Sequence, residues 1–129
     1  MKICVLDTAC NMVFANNLKR FFKSIDVDVV ATTEPSSGVQ VFFVSAKNIQ
    51  EGTTKPSTLK KQYGSENCLV ITMSCSEAVL KNVMENKGED IDFAVSKDAL
   101  KRFFATDMTL KPTIVGRNLL ISLPDLVKK

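Results

Sequence analysis

The chain predicts an α/β fold, a single three-layer α/β/α domain with helices on both faces of one sheet. Three observations carry that expectation. Short apolar runs at residues 2–7, 39–44, 69–73 and 92–96 alternate with segments whose apolar residues recur at helical spacing. The length of 129 residues suits one domain with one proper core. A composition of 45% apolar and 24% charged residues is that of a globular chain.

Residues 2–7 read as the first strand. Phe14, Leu18, Phe21, Phe22 and Ile25 then fall on one face of a helix, with Thr8 or Asn11 as its cap. Residues 27–31 alternate and read as a second strand, and 33–38 is a turn cluster ending in Gly38. Residues 39–44, rich in valine and phenylalanine, suit a central strand. The stretch 46–66 is polar, except that Pro56 is placed to open a short helix with Leu59 and Tyr63 facing inward. A strand over 69–73 follows. Ser74 or Ser76 caps a helix bearing Val79, Leu80, Val83 and Met84, and Gly88 stops it. After the strand at 92–96, Leu100, Phe103, Phe104 and Met108 mark another helix.

The division expected is a domain over 1–111 and an apolar extension over 112–129. Thr113, Ile114 and Val115 precede Gly116, and Leu119, Leu120 and Ile121 follow it, so a strand or hairpin bent at Gly116 is the reading. So apolar a segment must pack on its own domain or on a partner, a second copy of the chain included.

Composition excludes several chemistries. The chain has no histidine, which removes Ser-His-Asp and Cys-His activation, histidine phosphotransfer and histidine-ligated zinc. Four cysteines without a zinc spacing or a secretory signal point to a reducing, cytoplasmic setting. Cys10 and Cys75 precede helices, where the helix dipole favours a thiolate, and they are the candidate reactive thiols. The net charge of +3 is small, and the most basic stretch, 55–61, has no interleaved aromatics, so nucleic acid is disfavoured. No apolar run reaches the roughly 20 residues of a membrane span. No glycine lies in the segment after the first strand, Asp7-Thr8-Ala9-Cys10-Asn11-Met12, which argues against a dinucleotide or P-loop site.

In open α/β sheets, ligands and chemistry collect at the carboxyl ends of the strands. Here the first strand ends in Asp7, the third in Val44 and Ser45, the fourth meets Thr72, and the fifth is followed by Lys97. An acid, a hydroxyl and a lysine in that order resemble the site edge of the receiver domains of two-component response regulators. The resemblance spans about residues 2–107. It implies a flavodoxin-like sheet, with Asp7 in one magnesium-binding acid slot and Thr8 in the other. It puts Thr72 in the hydroxyl slot and Lys97 in the lysine slot, while Asp98 replaces the customary proline and Ala94 the aromatic switch residue. The phosphoacceptor slot falls at Val44 and Ser45, and neither can carry an acyl phosphate. One feature strains the resemblance. Only 33–38 separates the second and third strands, too few for an ordinary parallel crossover. Either the second helix is reduced to a loop, or 27–31 and 39–44 form an antiparallel hairpin.

The resemblance implies a degenerate receiver that binds another protein without aspartyl phosphorylation, enzymatic activity, metal or cofactor. Asp7 and Lys97 are then expected to lie within reach of each other. A small ligand-binding protein or thiol-dependent enzyme working at the same edge is the alternative. A further one is a structural or host-directed binding protein whose fold coincides with receivers.

Overall fold

The computed structural model of the protein describes residues 1–7, 11–87, 89–96 and 114–127. Its five strands are β1 (Lys2–Leu6), β2 (Val30–Thr32), β3 (Val39–Ser45), β4 (Gly64–Ser74) and β5 (Phe93–Ser96). Five helices accompany them among the described residues: α1 (Asn11–Ser24), α2 (Ala46–Gln50), α3 (Pro56–Gln62), α4 (Glu77–Lys87) and α5 (Ile114–Val127). The strands form one sheet in the order β2-β1-β3-β4-β5, and every pairing is parallel. This is the flavodoxin-like order, with helices on both faces.

The antiparallel hairpin between 27–31 and 39–44 does not form. β2 and β3 lie on opposite sides of β1, with Ile3 beside Ala31 on one flank and Val41 on the other. Only Val30–Thr32 pairs, so the chain needs to return a short way before starting β3. The link at 33–38 makes that return as a loop, and the second helix of the expected plan is absent from it. Thr32 opens the loop, its hydroxyl accepting from the Glu34 amide at 3.1 Å and donating to the Glu34 carbonyl at 3.0 Å. Gly38 closes it at φ +84°, a conformation that side chains disfavour. The Lys2 ammonium pins it to β1 by donating to the Ser37 carbonyl at 2.8 Å.

Alternation along the strands builds two cores. One face presents Ile3, Val5, Val41, Phe43, Ile71 and Met73 to Phe14, Leu18, Phe21 and Phe22 of α1 and to Leu123 and Val127 of α5. The other presents Cys4, Phe42, Val44 and Val70 to α2, α3 and α4 through Ala46, Ile49, Leu59 and Val83. The face predicted for α1 is therefore correct over Phe14–Phe22, but the helix ends at Ser24. Ile25 is 36% exposed, and Asp26 turns the chain at φ 58°. In α4, Ser76 is the cap, its hydroxyl accepting from the Val79 amide at 3.3 Å. Met84, expected inward, is 37% exposed. Pro56 occupies the first turn of α3, where its missing N–H costs nothing.

Two details lock the β4–β5 side. The Asp92 carboxylate accepts from the Val70 amide at 2.8 Å and from the Lys60 ammonium at 3.0 Å, tying α3 to the middle of β4 and the start of β5. Gly64 opens β4 where a Cβ would collide with the Cys68 sulfur and come within 2.9 Å of the Lys60 carbonyl oxygen.

The C-terminal extension is a helix, not a strand or hairpin. Over 114–127 the backbone is helical straight through Gly116, with Pro124 inside it. Leu119, Leu120, Leu123, Leu126 and Val127 recur at helical spacing, and that period outweighs the β-branched pair Ile114-Val115. Leu123 is fully buried and Val127 is 7% exposed, so α5 lies beside α1 on the first core. Gly88 and the helix read at Leu100, Phe103, Phe104 and Met108 lie outside the described residues.

Candidate functional site at the carboxyl edge of the sheet

The strand register fixes what meets at the carboxyl edge. Leu6, Val44, Thr72 and Ala94 stand on one level across β1, β3, β4 and β5. One residue further on, Ser45 is beside Met73 and Met73 beside Val95, and Asp7 follows Leu6 directly. Ser74 and Ser96 close the last level. The three buried polar residues among those described, Asp7, Asn48 and Thr72, all belong to this end of the sheet.

Asp7 is 6% exposed, placed by the apolar run Ile3-Cys4-Val5 that drives β1 into the core. Val44 is fully buried and belongs to the second core, so it offers the edge nothing but hydrocarbon. Ser45 is half-buried at the start of α2, and its side chain makes no capping bond there. Thr72 stands two residues inside the end of β4 rather than at it. It is fully buried, and among the described residues its hydroxyl oxygen has no hydrogen-bond partner. A buried hydroxyl left so costs about 1–3 kcal/mol. Thr8, Cys10 and Lys97, and with Lys97 the expected pairing to Asp7, lie outside the described residues.

Sequence reasoning missed Asn48. It sits in α2, immediately after β3, inside the stretch read as polar loop. The signal available was the pair Ala46 and Ile49, spaced as on one helical turn and both buried. The backbone carbonyl of Asn48 accepts from the Thr53 and Thr54 amides at 3.0 and 3.3 Å, which turns the chain back toward α3.

Among the described residues this edge offers one carboxylate, hydroxyls and an amide. Magnesium-assisted transfer to a side chain needs a nucleophilic carboxylate and enough negative charge to hold the ion. Asp7 supplies only one such charge, and β3 supplies none. At the opposite, amino end, Lys19, Lys23, Asp26, Val27, Asp28 and Val29 line an open groove of about 440 Å³.

The thiols divide by exposure. Cys4 is fully buried in β1, and that burial pushes its thiol up to about 11, against a smaller lowering by Lys2. Burial also raises the half-buried Cys68, with Lys60 opposing. Cys75 is exposed just before α4. Labelling of the native protein with iodoacetamide is therefore expected at Cys75, with Cys4 protected until unfolding. Peptide mass spectrometry reads both, and equal labelling of Cys4 and Cys75 would contradict the burial. The pH dependence has a definite sign. Between the ordinary thiol value of 9.0 and about 11, the unfolded chain has released a proton that native Cys4 retains. Stability should fall as pH rises through that window.

The chain matches no known protein family and no curated protein. Among solved structures it is similar to the adenylate cyclase from Rhodopirellula baltica, with a TM-score of 0.46 and 17% identity over 99% of this chain and 97% of that one. So distant a likeness carries no functional weight. Among the described residues, no helix is long and apolar enough to cross a membrane.

Proposed function

We propose that the protein is a pseudo-receiver, a non-catalytic regulatory module of the cytoplasm that works by binding another protein. One observation carries the reading. A fully parallel sheet in the order β2-β1-β3-β4-β5 has, at the end of β3, a buried Val44 and a Ser45 that runs directly into α2. The place where a receiver would hold its phosphoacceptor has no acid to phosphorylate. On this reading Asp7 and Lys97 pair across the edge and hold one shape of it, in place of a metal and a phosphoryl group. The partner surface is the β5 edge of the sheet, with α4 on one face of it and α5 on the other; Met84 of α4 is 37% and Ile121 of α5 40% exposed.

Cross-linking in source cells followed by mass spectrometry tests this. The expected result is a protein partner captured equally with and without a phosphodonor, and lost when Met84→Asp and Ile121→Asp are combined in a chain that still folds. Capture that appears only after donor treatment, or that survives the double substitution, would overturn the proposed surface and its mode of use.

A further inference from the structure

We draw no further inference here: the strongest candidate, the outward stripe of α1 formed by Met12, Val13, Lys19, Arg20 and Lys23, carries nothing, because Lys19 and Lys23 share their groove with Asp26 and Asp28 and nothing in the structure shows what covers the stripe.

Discussion

A chain ending at Lys111 is expected to lose most of the domain's stability. The missing segment contains α5, which sets Leu123 fully and Val127 almost fully into the core with Ile3, Val5, Phe43 and Met73. A parallel sheet needs both faces covered, and among the described residues α1 and α5 together cover this face. Each aliphatic side chain withdrawn from water contributes about 1.5–3 kcal/mol, and the strand residues beneath it are uncovered at the same time. Against a total stability of about 5–15 kcal/mol, that loss is close to unfolding. Urea titration followed by circular dichroism should show no cooperative transition, or the truncated chain should fail to stay in solution. Leu123→Ala is the milder form, expected to cost about 2–5 kcal/mol. A truncated protein that is soluble, monomeric and unchanged in its midpoint would mean that α5 contributes nothing to the fold.

The second large effect is expected at Phe43. It lies in β3, between β1 and β4, is fully buried, and meets the Phe14 ring of α1 at a centroid distance of 5.5 Å and 58° between planes. Phe43→Ala removes the ring from the middle of the α1–sheet contact and leaves a cavity that rigid strands on both sides cannot close. The expected cost is about 3–5 kcal/mol. Met84→Ala, on the exposed side of α4, should stay within about 0.5 kcal/mol of the parent. The two denaturation midpoints, measured side by side, check the contrast. A Phe43→Ala midpoint equal to that of Met84→Ala would place Phe43 outside the core.

The layers were legible because apolar period is a direct readout of burial. Phe14, Leu18, Phe21 and Phe22 announced α1, and Val39 to Val44 announced the central strand. Where period and pairing part company, the sequence misleads. Val27 and Val29 alternate like a strand, yet they pack on the first core from a loop, and pairing with β1 begins only at Val30. β4 starts at Gly64, five residues before the apolar run: Gly64 pairs with Val39, and the polar Ser65, Glu66 and Asn67 lie in the stretch where the register against β3 shifts. The C-terminal helix was hidden by Ile114-Val115, Gly116 and Pro124, each a local argument against helix that tertiary packing of Leu123 and Val127 overrides.

The carboxyl edge was partly legible for a different reason. Chain order alone places Asp7 and Ser45 at strand ends, so their roles as edge residues needed only the strands to be right. Thr72 needed the strand's true end as well, and β4 continues to Ser74. Standing two residues short of that end, Thr72 has its hydroxyl in the interior. Asn48 was hard to read because the five-residue α2 leaves only the pair Ala46 and Ile49 as its helical pattern.

Incubation of the purified protein with acetyl phosphate and magnesium, followed by intact-mass measurement, tests the central claim most directly. With Val44 and Ser45 at the end of β3 and a single acid at the end of β1, the account predicts an unchanged mass. An added phosphoryl group that is labile to hydroxylamine and maps to an aspartate would contradict it.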